Sequence, residues 1–195
     1  MKLQERLPKG VTVNGRYYRM NFDFRGVLRM MEILQRDDIL LEARDYLALK
    51  CLTKHPRNVE PVIKAVKELL FESKPTTDGK KVTSFEQDAG MIRTAFRQNY
   101  GINLFTDKLH WLEFVELLNN LPEGSRYAEV IGIRMKPLPE PTKYNRKERE
   151  SLMRAKAAVA LHMTDNEREH AYDSAVRNIF GVLMKIAEGS DNHAG

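Results

Sequence analysis

Apolar residues recur at helical spacing over most of this chain, after one alternating stretch near its start. Val11-Thr12-Val13 and Arg16-Tyr17-Tyr18-Arg19-Met20 flank Asn14-Gly15. Both turn residues tolerate positive φ, so the pattern predicts a tight two-residue β-hairpin. From Asp23, a candidate N-cap, the period becomes helical through Phe24, Val27, Leu28, Met31 and Leu34. Asp37-Asp38 interrupts it. A second helix is expected from about Ile39 to Thr53, with Leu40, Ala43, Leu47 and Leu49 among its apolar positions. Pro56 closes that helix, and Val59, Val62, Ile63, Val66 and Leu70 stripe the next. Ser73–Thr83 carries no period and reads as a mobile surface loop. Ser84 with Gln87 suits a capping box for a helix lined by Phe85, Ala89, Ile92, Phe96 and Tyr100, which Gly101 stops.

The stretch Leu109–Arg134 organises the rest. Trp111, Phe114, Val115, Leu118 and Leu121 share one helical face, with Asp107 as N-cap and Pro122 and Gly124 as the stop. Leu109, Leu112 and Leu117 lie off that face. Such a helix either has neighbours on two sides or keeps apolar surface for a partner. A further amphipathic segment places Tyr127, Val130, Ile131 and Ile133 between Arg126 and Arg134. Beyond it, Pro137, Pro139 and Pro141 exclude a helix. A basic cluster of Lys143, Arg146, Lys147 and Arg149 then leads into the Ala-rich segment Arg154–Leu161. Thr164-Asp165-Asn166-Glu167 opens a last helix striped by Tyr172, Ala175, Val176, Ile179, Leu183 and Ile186.

The predicted fold is mainly α, a helical bundle with a small N-terminal β-hairpin. Its expected organisation is a hairpin and bundle over residues 1–135, a Pro-rich linker over 136–142, a C-terminal helical hairpin over 143–187, and a frayed tail over 188–195.

Composition narrows the function. The chain has 195 residues, 42% of them hydrophobic and 30% charged, as in an ordinary soluble globular protein. No apolar run is long enough for a membrane span, and the N-terminus lacks the apolar core of a signal peptide. One cysteine, Cys51, cannot form an internal disulfide, which fits a reducing cytosol. Between Lys50 and Lys54 it is either a slightly acidified thiol or a small buried apolar residue. His110 with Glu113 gives a single ligand-spaced pair, short of the three or four ligands zinc requires. Gly79-Lys80-Lys81 lacks the rest of a phosphate loop, and no nucleophile elbow or dinucleotide turn occurs. No cofactor, metal or catalytic residue is assigned, and an enzyme is the least favoured class. The formal charge of +5 admits nucleic-acid binding as the runner-up. Lys143, Arg146, Lys147 and Arg149 would then contact phosphates, although Glu148 and Glu150 interleave with them.

Several blocks carry a resemblance. They are Phe22-Asp23-Phe24-Arg25, Phe85-Glu86-Gln87-Asp88-Ala89 and Tyr100-Gly101-Ile102, then Leu109-His110-Trp111, Leu121-Pro122-Glu123 and Glu129-Val130-Ile131-Gly132-Ile133-Arg134. In this order they resemble a family of small proteins from long-tailed phages and prophages of Gram-positive hosts, encoded near the tape-measure gene. The resemblance implies a tail-assembly chaperone in the cytoplasm of the bacterial host. Its implied partners are the tape-measure protein and the tail-tube protein, with homo-oligomerisation open and nucleic acid and membrane disfavoured. A structural virion component, such as a head–tail connector or completion protein, stays as an alternative. For client binding the candidates are Leu109, Leu112 and Leu117, with Arg126, Tyr127 and Arg134 as a rim.

Overall fold

The structure, a computed structural model, describes residues 4–71 and 82–162. The chain divides into two compact units, Met1–Val159 and Ala160–Gly195. Of the second unit only 160–162 fall within the described residues. The expected loop Ser73–Thr83 lies almost wholly outside them, as do the capping box at Thr164, the last helix and the tail.

The first unit is mainly helical with a two-stranded hairpin, as the pattern predicts. Strands β1 (Gly10–Val13) and β2 (Arg16–Arg19) pair antiparallel, Val13 opposite Arg16 and Gly10 opposite Arg19. Asn14 and Gly15 supply the turn with φ of 50° and 74°. Val11 and Val13 are buried and β1 packs on α3, so the hairpin docks on its own helical body.

Seven helices follow among the described residues: α1 (Phe24–Leu34), α2 (Leu41–Lys50), α3 (Val59–Phe71), α4 (Ala89–Tyr100), α5 (Trp111–Asn119), α6 (Arg126–Met135) and α7 (Arg146–Ala158). α1 packs on α2 and α5, α2 on α3, α4 on α5 and α6, and α6 on α7. The stripes read from the sequence turn inward in α1 and α3, through Phe24 and Val27, then Val62, Ile63, Val66 and Leu70. Met20 and Met30 are also core residues.

Aromatic rings fill the centre. Phe114 stacks on Phe24 at 4.9 Å, on Phe96 at 5.2 Å and on Trp111 at 5.7 Å between centroids. Burying each such ring contributes about 1.5–3 kcal/mol from area alone, plus about 0.5–1.5 kcal/mol where ring geometry is favourable. The Trp111 indole donates to the Leu70 carbonyl at 3.3 Å, satisfying its one polar atom. Tyr100 donates its hydroxyl to the Leu117 and Asn120 carbonyls and so closes the end of α5.

Helix boundaries differ from expectation where side chains are engaged elsewhere. α5 starts at Trp111, capped by His110, whose Nδ1 accepts from Leu112 N at 3.2 Å; Asp107 is not its cap. Asp107 instead accepts from Asn103 N at 2.8 Å and holds the preceding loop. Ser84 does not cap α4 as expected: it and Phe85 lie in a turn ahead of the helix, where Ser84 Oγ accepts from Gln87 N and Ser84 N donates to the Asp88 carboxylate at 3.0 Å. Asp88 thus reaches back to Ser84 N. α6 is capped by Ser125, which accepts from Ala128 N. α2 is shorter than expected, and Leu40 and Leu41 at its start are exposed.

Candidate functional site

The blocks that carry the resemblance converge in space. Phe24 N donates to Leu109 O and Trp111 N donates to Phe22 O, joining the entry of α1 to the entry of α5. Asp88 and Arg134, 46 positions apart, meet in a bidentate ion pair with distances of 2.9 and 2.7 Å. Arg134 is 10% exposed in its side chain and Asp88 1%. The same guanidinium donates to Val82 O at 3.0 Å and to Val159 O at 2.6 Å. Lys156 returns a bond to Arg134 O at 2.7 Å, and Arg149 donates to Pro139 O, so α7 is strapped back over the Pro-rich segment.

The six candidate client-binding residues do not form one open surface. Leu109 belongs to the core, and Leu112 and Leu117 are half-buried against it. Tyr127 is buried, with its hydroxyl 2.7 Å from Thr83 Oγ1. Burial holds its phenol above the usual tyrosine pKa; Asp88 adds to the rise, while the Thr83 hydrogen bond and Arg134 oppose it. Arg134 is a clamp between segments, so it does not rim a groove. Arg126 alone of the six is exposed, 3.6 Å from Glu129. The basic cluster is scattered in its roles. Lys143 and Lys147 are exposed, Arg146 pairs with Glu150 at 2.9 Å, and Arg149 is turned onto Pro139.

An apolar pocket opens elsewhere, between α1, α4 and the loop before α5. Its volume is about 200 Å³, and its floor is Phe24, Phe85 and Phe114, with Leu28 and Ile92 on the walls. Phe105 stands at its mouth, 73% exposed. Two arginines frame it. The Arg25 guanidinium lies 4.5 Å from the Phe24 ring and donates to Leu104 O and Asp107 O, while Arg93 lies 4.8 Å from the Phe105 ring. The loop is held by a side-chain ring: Phe105 N donates to Asn103 Oδ1 and Thr106 Oγ1 to Asp107 Oδ1. The Asn103 amide, then the Thr106 hydroxyl, keep the Asp107 carboxyl below its usual pKa. An apolar cavity of ~150 Å³ is enough to take a benzene ring. This pocket can therefore take an aliphatic or aromatic side chain offered by a partner, with Arg93 beside it, while Arg25 is held by Asp23 at 3.3 Å.

Sequence reasoning left Arg25, Leu28, Phe85, Arg93 and Phe105 out of its candidate residues. Phe24-Arg25 and Phe85 stood in the quoted blocks, but an exposed loop phenylalanine such as Phe105 has no period to mark it. His110 uses both ring nitrogens on protein groups, Nδ1 on Leu112 N and Nε2 on Pro8 O at 2.9 Å. Cys51 is not an acidified thiol, because burial raises its pKa. No helix among the described residues is long and apolar enough to cross a membrane.

Residues 3–161, well over half of the chain, match the model of a protein family described as Bacteriophage Gp15 protein. The chain belongs to that family. No curated protein and no solved structure matches it.

Proposed function

We propose that this bacteriophage protein is a tail-assembly chaperone of long-tailed phages of Gram-positive hosts. It binds the tape-measure protein in the host cytoplasm, helps recruit tail-tube subunits, and does not remain in the finished particle. It works as a binding protein and not as an enzyme. The observation that carries this reading is the aromatic-floored pocket at Phe105, set on a helical body in a phage protein. A long helical client presents spaced apolar anchors, and each copy of the chaperone would receive one of them between Phe24, Phe85 and Phe114. Leu40, Leu41 and Leu47 are exposed about α2 and offer a second apolar surface for another protein. The pairing of Arg146 with Glu150 and the turning of Arg149 onto Pro139 support the protein-binding reading over contact with phosphates.

Co-expression with the tape-measure protein of the same phage tests the proposal. The client should be soluble with this chain and should precipitate without it. Phe105→Asp, at a site exposed enough to leave the core intact, should release the client while the variant's own unfolding midpoint is unchanged. A client that is soluble alone, or this chain found at fixed stoichiometry in purified virions, would refute the assignment.

A further inference from the structure

The free edge of β2 faces a second, differently built groove. Met20 N donates to Lys9 O at 2.9 Å, which marks that pair as hydrogen-bonded and fixes the alternation along the hairpin. By that alternation the N–H and C=O groups of Tyr17 and Arg19 point away from β1, toward the segment that joins α2 to α3. Between β2 and that segment lies a cleft of about 170 Å³. Arg16, Tyr17, Tyr18 and Arg19 form one wall, and His55 and Arg57 stand on the other. At one end the bond from Asn21 N to Leu52 O, 2.9 Å, joins the two walls. No Asp or Glu lines the cleft. Among the described residues, none of its three arginines pairs with a carboxylate; Arg16 lies over the Tyr18 ring at 5.7 Å.

We propose that this cleft takes an extended acidic segment of a partner protein as a third strand beside β2. The unpaired edge supplies main-chain hydrogen bonds, and the side-chain walls supply the choice of partner. Charge decides between occupants. A second copy of this chain would bring its own Arg16 and Arg19, with no carboxylate in β2, to a cleft already lined by Arg16, Arg19 and Arg57, and the like charges would repel. A strand bearing carboxylates at neighbouring positions presents them on both faces, and so meets Arg16 on one face of β2 and Arg19 on the other, in a cleft that Arg57 also lines. This inference is independent of the aromatic pocket and of the chaperone assignment.

The probe is a short capped peptide of paired glutamates and paired valines, which sets carboxylates on both faces of a strand, titrated into the full chain and followed by amide chemical shifts. Saturable binding with shifts centred on Arg16–Met20 is expected. Methylating the amides of one alternate set of residues should abolish it, and methylating the other set should be tolerated, because a strand presents alternate N–H groups to its two edges. Arg16→Gln with Arg19→Gln, at exposed strand positions, should weaken binding by about tenfold or more while the far-ultraviolet dichroism is unchanged. The proposal fails if the peptide does not bind, or if both methylated forms bind equally well. It also fails if an oligonucleotide of equal charge binds more tightly at this site, or if the chain pairs with itself through β2 and the peptide cannot compete.

Discussion

Replacing Asp88 by Asn changes one formal charge and almost no volume, at a position 1% exposed in its side chain. The amide can still accept from Ser84 N, so the start of α4 keeps its bond. Arg134, however, stays charged, 10% exposed, with one neutral amide oxygen in place of the carboxylate beside the Val82 and Val159 carbonyls. One amide hydrogen would also face the guanidinium. Breaking one side of a buried ion pair costs about 3–5 kcal/mol, because the remaining charge is desolvated without compensation. For a unit of this size that loss corresponds to a fall in unfolding midpoint of about 6–20 °C. Urea unfolding followed by far-ultraviolet dichroism measures it, and an unchanged m value would assign the loss to stability itself. Arg134→Met alone leaves Asp88 unpaired, whereas Asp88→Leu combined with Arg134→Met removes both charges. The double variant should therefore be less destabilised than the sum of its singles. A loss under about 1 kcal/mol for Asp88→Asn, or single effects that add within about 0.5 kcal/mol, would refute the view that this pair ties α4, α6 and the end of α7 together.

Tyr127 predicts an alkaline limit. Its folded pKa is raised, mainly by burial, so its contribution to stability is complete below the unfolded value and is lost as pH rises through the folded one. Ultraviolet titration should show one tyrosine ionising late, and Tyr127→Phe should flatten the alkaline fall in stability while costing about 1 kcal/mol at neutral pH through the lost Thr83 bond. Gly10→Ala would place a methyl group 2.1 Å from Tyr18 O, so the hairpin must part. A loss of about 1–3 kcal/mol is expected in chemical denaturation, with faster amide exchange confined to residues 10–19. Cys51, its thiol raised by burial and 3.6 Å from Leu47 O, should react with iodoacetamide more slowly than free cysteine at neutral pH, and urea should abolish the difference.

The parts of this fold that were legible in its sequence are those where one residue type has one use. Asn14-Gly15 can turn a hairpin with little competition, and the stripe from Val62 to Leu70 had nowhere to go but inward. Residues with two uses misled. Asp107 is a good N-cap by type, yet its carboxylate is taken by Asn103 and Thr106, and the less favoured His110 caps α5 because Pro8 O fixes its other nitrogen. Arg134 sits at the end of an amphipathic segment like a rim residue, but its acceptors come from residues 82, 88 and 159, which no local window contains. In α2 the apolar positions read from the sequence marked the buried face only at Leu49, since Leu40, Ala43 and Leu47 are exposed and Ala48 is packed. The aromatic pocket was illegible for a related reason: its floor takes one ring each from residues 24, 85 and 114.

Trp111, the only tryptophan of the chain, stands directly behind that floor, 5.9 Å from the Phe85 ring and 5.7 Å from the Phe114 ring. At 3% exposure its fluorescence should be blue-shifted in the native protein. Anything that seats itself against Phe85 and Phe114 displaces the neighbours of a single, unambiguous chromophore. The molecule thus carries its own optical gauge of occupancy, readable without a dye, a tag or a substitution.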